Sequence, residues 1–263
     1  MTGPQEEVAS AFLARPAFLT RPDGTRIGYC HTPAREAGAG RAGVVFLGGF
    51  KSDMTGTKAI RLEAFCCEQG RQFTRFDYRA HGVSSGDFVA SSIADWADDA
   101  VAVLDEVAQG PLVLVGSSMG GWIMLLAALA RPGRIRALVG IAPAPDFVLR
   151  MAEALTPAQR EALAKTGRFE RPTPYADDPY VVGRRLIEEG RGMSLLHQPI
   201  PIGVPVRLLH GIEDDAVPWQ LSMTLADRLR SPDVRVSLVK GGDHRLSSDA
   251  DLDLLCRTVA EVW

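Results

Sequence analysis

One pentapeptide in this 263-residue chain carries the residue types for nucleophilic chemistry, Gly116-Ser117-Ser118-Met119-Gly120. A serine hydroxyl attacks a carbonyl only when its backbone holds it forward and a base takes its proton. Gly-x-Ser-x-Gly at a strand-to-helix turn meets the first need, because so tight a turn strains the central residue and projects its hydroxyl above the sheet. Gly116 and Gly120 suit a place where strand and helix pass too closely for side chains. The turn also aims the first free amides of the helix at the space above Ser118, so the Met119 N–H can stabilise a developing oxyanion. A plain Gly/Ser turn has the same composition, and the flanks separate the two readings. Residues 111–115 are aliphatic with little alternation, as in a strand buried on both faces, and 122–130 (WIMLLAALA) suit a buried helix.

The serine needs a base, and the base needs a carboxylate that fixes its tautomer. His244, in Gly241-Gly242-Asp243-His244-Arg245, is the only histidine downstream of the acidic loop Glu213-Asp214-Asp215. The spacing from Gly211 to Val217-Pro218 singles out Asp214 within that loop, with Glu213 and Asp215 as rivals. The order Ser118, Asp214, His244, each after a separate expected strand, is the order of a strand-to-helix nucleophile elbow. His210 reads as a strand-end packing residue. Gly48-Gly49-Phe50 follows another buried run, and its glycines let the loop backbone approach a substrate, with the Phe50 N–H as second oxyanion donor. In Asp77-Tyr78-Arg79-Ala80-His81, the Asp and Arg read as partners that brace a loop, with His81 outside the chemistry.

Strands are expected at 18–20 and 25–30, joined by the turn Arg21-Pro22-Asp23-Gly24, and at 44–47, 73–76, 111–115, 135–141, 204–209 and 234–239. Helices are expected at 57–69, 94–107, 122–130 and 250–262. This alternation implies a mostly parallel central sheet with helices on both faces. Residues 146–200 break the rhythm. Thr156-Pro157-Ala158-Gln159 is a capping box, and Asp178-Pro179 reads as the start of a further helix carrying Val181, Val182, Leu186 and Ile187. With no strand pattern between them, the segment reads as a small helical lid inserted into a core formed by 1–145 and 201–263. Phe147, Met151, Leu155, Tyr175, Tyr180 and Met193 either line an acyl pocket for the substrate or form the lid's own core.

A net charge of −3 with no Lys/Arg cluster leaves no face for nucleic acid. No run reaches 18 apolar residues, so no membrane span is expected, and MTGPQEEVAS lacks an apolar leader core. The expectation is a cytoplasmic protein. Cys30, Cys66, Cys67 and Cys256 match neither a disulfide framework nor zinc spacing, and no metal or organic cofactor is implied.

GFKSDMTGTKA (49–59), RFDYRAHGVSSGDF (75–88), GPLVLVGSSMGGW (110–122), EDDAVPW (213–219) and DHR (243–245) together resemble the α/β-hydrolase superfamily. Within it they are most similar to the mitochondrial palmitoyl-protein thioesterase and acyl-glucuronide esterase subfamily. The resemblance implies the α/β-hydrolase fold, a triad at Ser118, Asp214 and His244, and oxyanion donors at Phe50 and Met119. It also implies a serine esterase or thioesterase acting on a small-molecule or lipid-acylated substrate. A carbon–carbon hydrolase or perhydrolase on the same triad stays open, as does a ligand receptor that keeps the triad with negligible turnover.

Overall fold

The computed structural model describes residues 15–38, 40–173 and 177–263. Its strands are β1 (Ala17–Thr20), β2 (Arg26–Thr32), β3 (Gly43–Leu47), β4 (Phe73–Phe76), β5 (Leu112–Ser117), β6 (Ile135–Ile141), β7 (Arg168–Arg171), β8 (Tyr180–Gly183), β9 (Val206–Gly211) and β10 (Val234–Val239). All except β7 and β8 join one sheet in the order β1-β2-β4-β3-β5-β6-β9-β10. From β4 to β10 every neighbouring pair is parallel, while β1 and β2 form an antiparallel edge. The β1–β2 turn closes through Gly24, whose φ of 85° is open to glycine without strain.

Alternate strand residues face opposite layers, which is why these strands read as continuous apolar runs. Val45, Leu47, Leu114, Leu138 and Leu208 pack beneath helices α2 (Ile93–Glu106) and α3 (Met119–Ala130). Val44, Phe46, Val113, Val115 and Val139 pack beneath α1 (Thr57–Glu68) and, at the C-terminus, Asp249–Ala260. The chain goes from β3 to β4 on one side and then to β5 on the other, so strand order reverses between β3 and β5. In open α/β sheets, the crevice at such a reversal, beyond the carboxyl ends of the strands, is where ligands bind.

The insertion between β6 and β9 contains α4 (Phe147–Glu153), α5 (Pro157–Thr166), β7, β8 and α6 (Arg184–Gly192). The capping box is present, with the Gln159 N–H donating to Thr156 Oγ1 and the Thr156 N–H to Gln159 Oε1. The all-helical reading of 146–200 fails, however, at Tyr180–Gly183. Those residues pair antiparallel with Arg168–Arg171, placing Phe169 opposite Val182, both buried. Gly167, at φ 73°, ends α5 and turns the chain into this hairpin. Val181 and Val182 are β-branched and favour it, and the helix expected from Asp178-Pro179 starts instead at Arg184. A short apolar pair fits either period, and the upstream partners Phe169 and Glu170 decide. Tyr175 lies outside the described residues. Asp146 fastens the two ends of the insertion together. It sits at φ 59°, accepts the Leu195 and Leu196 N–H groups at 2.9 and 3.0 Å, and accepts the Ser194 hydroxyl at 2.7 Å.

Two more helices complete the order, α7 (Gln220–Arg228) and α8 (Asp249–Ala260).

Candidate active site

Ser118 stands between the last residue of β5 and the first of α3 with φ 54° and ψ −119°, a conformation that costs a non-glycine residue about 1–3 kcal/mol. The surroundings hold it there. Its N–H donates to Ile141 O at 2.9 Å, and its carbonyl accepts from the Gly121 and Ala144 N–H groups at 2.9 and 3.0 Å. A Cβ on Gly120 would run into the Leu47 and Gly48 carbonyls, and one on Gly116 into the Gly120 carbonyl. Only glycine lets β3, β5 and α3 approach this closely.

Because β5, β9 and β10 are parallel, the loops after them meet at one edge of the sheet. Ser118 Oγ lies 3.1 Å from His244 Nε2, and His244 Nδ1 lies 2.7 Å from Asp214 Oδ2. Asp214 Oδ1 accepts the Ala216 and Val217 N–H groups at 2.9 and 2.7 Å. Of the three adjacent acids, Asp214 alone reaches His244, with its side chain fully buried, while Glu213 and Asp215 are exposed. Burial pushes the Asp214 carboxyl pKa upward, but bonds from His210, His244 and the Val217 N–H outweigh it and hold the group well below the usual carboxylate range. The arrangement can take a proton from Ser118 onto Nε2 while the carboxylate stabilises the resulting imidazolium.

His210 is more than a packing residue. It is fully buried, with Nε2 3.2 Å from Asp214 Oδ2, a contact no local spacing rule signals. Lys58 was likewise missed. From the first turn of α1 its Nζ donates to the carbonyl of Arg245, next to His244, while Asp243 Oδ1 accepts the Arg245 and Leu246 N–H groups at 3.0 and 2.9 Å. Burial draws the Lys58 ammonium down to about 8, against the pull of Asp243. The loop carrying His244 is thus held by both side chains.

The Gly48-Gly49-Phe50 loop lies beside the serine. A Cβ on Gly49 would sit 3.5 Å from Ser118 Cβ, and the Gly49 carbonyl is fixed by the Ser52 N–H and hydroxyl at 3.2 and 2.8 Å. Phe50 and Met119 both border the cavity above Ser118, and the Phe50 ring packs edge-on against Phe88, Trp96, Phe147 and Tyr180. The cavity, of about 880 Å³, is lined on its apolar side by Phe147, Met151, Leu155, Phe169 and Tyr180. Met151 and Leu155 border this cavity and are also buried in the core cluster. Phe169 reaches the cavity through the unforeseen hairpin. Met193 does not line it. As the residue that ends α6 it packs against the core, and its carbonyl accepts the Trp122 Nε1–H at 3.2 Å.

The bracing loop behaves as its residue types suggest. Asp77 accepts the Met54 and Val83 N–H groups, and Arg79 pairs with buried Asp99 at 2.8 Å. His81 is packed among Tyr78, Phe88 and Trp96, where burial draws its pKa down to about 4 and keeps it neutral.

The family described as serine aminopeptidase, S33, matches residues 38–181. The mouse palmitoyl-protein thioesterase ABHD10, mitochondrial, is 43% identical over 221 residues, covering 84% of this chain and 74% of the relative. The human protein of that name is 40% identical over 94% of this chain and 79% of its own length. A solved structure of mouse alpha/beta hydrolase domain-containing protein 10 superposes with a TM-score of 0.85 at 40% identity, covering 94% of this chain and 98% of that one. The chain belongs to the α/β-hydrolases. Within them it falls in a thioesterase subfamily, and it is a hydrolase of carboxylic esters or thioesters. The expectation of a cytoplasmic protein is overturned by the same relatives, which are named mitochondrial. The charge and composition of a folded body carry no address; a targeting segment does. Among the described residues no helix is long and apolar enough to cross a membrane.

Two outcomes follow from this geometry. Asp214→Asn lowers kcat on a short-chain ester at pH 8 by on the order of 10³ to 10⁴, because an amide permits the wrong His244 tautomer. Glu213→Gln and Asp215→Asn lose far less, with folding checked by circular dichroism. For Lys58, the unfolded chain binds more protons than the folded one between pH 8 and the ordinary lysine value of 10.5, so its contribution to stability rises with pH across that window. Urea midpoints of the parent protein relative to Lys58→Met therefore increase from pH 8 to 10.5, and parallel curves would show that partial burial does not lower the pKa of this lysine.

Proposed function

We propose that Ser118, His244 and Asp214 are the catalytic triad of this hydrolase, and that it works through an acyl-enzyme. The single observation that carries the reading is the unbroken bond chain from Ser118 Oγ through both His244 nitrogens to a buried, ionised Asp214. Ser118 Oγ attacks the substrate carbonyl carbon as His244 Nε2 takes its proton. The Phe50 and Met119 amides hold the oxyanion, on either side of which β3 and β5 end. Collapse breaks the bond to the alcohol or thiol, which leaves with the proton from His244. Water then attacks the acyl-enzyme with His244 as base, releasing the acid and restoring Ser118.

The insertion over 146–200 acts in this reading as a lid, supplying Phe147, Met151, Leu155, Phe169 and Tyr180 as the acyl pocket. Its cavity falls within the roughly 300–1,000 Å³ of small-molecule sites. The mostly apolar wall and the palmitoyl-protein thioesterase relatives support S-acylated protein or lipid-like thioesters of long chain as substrates.

p-Nitrophenyl esters and matched thioesters of increasing chain length test both parts. Ser118→Ala lowers turnover by on the order of 10⁴-fold or more with the fold intact. kcat/KM rises with chain length in the parent protein, and Phe169→Ala reduces that rise. Near-normal turnover in Ser118→Ala would sink the triad, and a preference confined to acetyl esters would sink the acyl-pocket reading.

A further inference from the structure

The Asp214 carboxylate receives one donor that the triad does not require. His210, on β9, is fully buried and does not border the cavity. Its Nε2 lies 3.0 Å from the Val217 carbonyl oxygen and 3.2 Å from Asp214 Oδ2. Neither oxygen carries a proton, since one is a carbonyl and the other belongs to a carboxylate held ionised. Nε2 must therefore bear the hydrogen and share it between them. Nδ1 lies 2.7 Å from Ser222 Oγ, itself fully buried at the start of α7. With Nε2 bearing the hydrogen, the Nδ1 of a neutral ring accepts the Ser222 hydroxyl hydrogen, so the serine supports the tautomer that points N–H at Asp214. Asp214 Oδ2 thus sits between two imidazoles, His244 at 2.7 Å and His210 at 3.2 Å, while Oδ1 takes two backbone amides.

We propose that His210 is a positioning residue for the hydrolysis: its Nε2–H orients Asp214 Oδ2 for His244 and draws off part of the carboxylate's charge, so that His244 readily passes on the proton taken from Ser118. This rests on the triad reading above. A carboxylate with one fewer donor would hold the His244 imidazolium more tightly and leave a lone pair buried without a partner. Besides the two histidines, Arg150 borders the cavity from α4, and its charge interacts with Asp214. Arg150 stays in place in every variant below, so a change in profile reports the histidine.

His210→Phe keeps the ring's bulk and removes both polar atoms. The expected result is a loss of about ten- to a hundredfold in kcat with KM within about twofold. The acid limb of the kcat–pH profile moves upward by about half a pH unit, because the carboxylate now favours the imidazolium more strongly. Ser222→Ala, which leaves the ring and its packing in place but releases Nδ1, shifts the limb in the same direction by a smaller amount. His210→Gln, whose amide N–H can replace Nε2–H, recovers most of kcat and returns the limb toward the parent position. A strut that only supports the β9–α7 turn would lower thermal stability and the folded fraction without moving the limb per folded molecule, and that result overturns the proposal. If His210→Phe does not fold, the decision falls to Ser222→Ala and His210→Gln, and an unmoved limb in Ser222→Ala overturns it. Ser118→Ala, assayed alongside, separates the two readings. Turnover in that variant defeats the triad itself, whereas an inactive Ser118→Ala beside an unaltered His210→Phe defeats only the role of His210.

Discussion

A fully buried carboxylate is the constraint around which this site is built. Removing an ion such as the Asp214 side chain from water costs several kcal/mol even after the protein relaxes. The fold offsets this with four donors: two backbone amides of its own loop on one oxygen and two imidazoles on the other. Those donors must arrive together, so the loops after β9 and β10 are laced. The Ile212 N–H donates to Val239 O and the Glu213 N–H to Gly242 O, each at 2.9 Å. Gly211 allows that approach, since a Cβ there would meet the Gly242 carbonyl. One interaction thus explains a glycine, a turn and two histidines.

From the carboxylate the dependence runs outward. His244 is held by Asp214 on one nitrogen and meets Ser118 on the other, and Lys58 and Asp243 fix the backbone that follows it, at Arg245 and Leu246. Ser118 can wait in a strained conformation only because the crowded β3–β5–α3 contact leaves its turn no alternative. Parallel strands bring these loops to one edge, and the strand-order reversal between β3 and β5 opens the crevice there. The insertion borders that crevice with apolar side chains, its own ends clasped at Asp146. Each layer follows from a packing or hydrogen-bonding need of the layer beneath it.

Legibility in the sequence tracks how local each need is. The Gly-x-Ser-x-Gly turn, the turn at Arg21 to Gly24 and the capping box at Thr156 are written within a few consecutive residues, and the structure has the corresponding local geometry. The main-sheet strands and helices were legible from sustained periodicity, with ends displaced by a few residues where caps and pairing decide them. Spacing alone also distinguished Asp214 from its two acidic neighbours. The β7–β8 hairpin was not legible, because four-residue strands owe their existence to each other rather than to their own pattern. Phe169 was therefore overlooked at the cavity and Met193 assigned to it wrongly. His210 was underestimated for a related reason: its partners, Asp214, Val217 and Ser222, lie four to twelve residues onward and are brought to it by tertiary structure. Compartment was misjudged because it is not a property of the fold.

The account is tested most directly by covalent labelling with a fluorophosphonate, which reacts with a serine only when a neighbouring base has activated it. The expected result is a single adduct per chain, located by peptide mass spectrometry on Ser118, formed orders of magnitude more slowly in Asp214→Asn. An adduct on Ser117 or elsewhere, or labelling of Asp214→Asn at the parent rate, would contradict the claim that the buried carboxylate organises a catalytic Ser118.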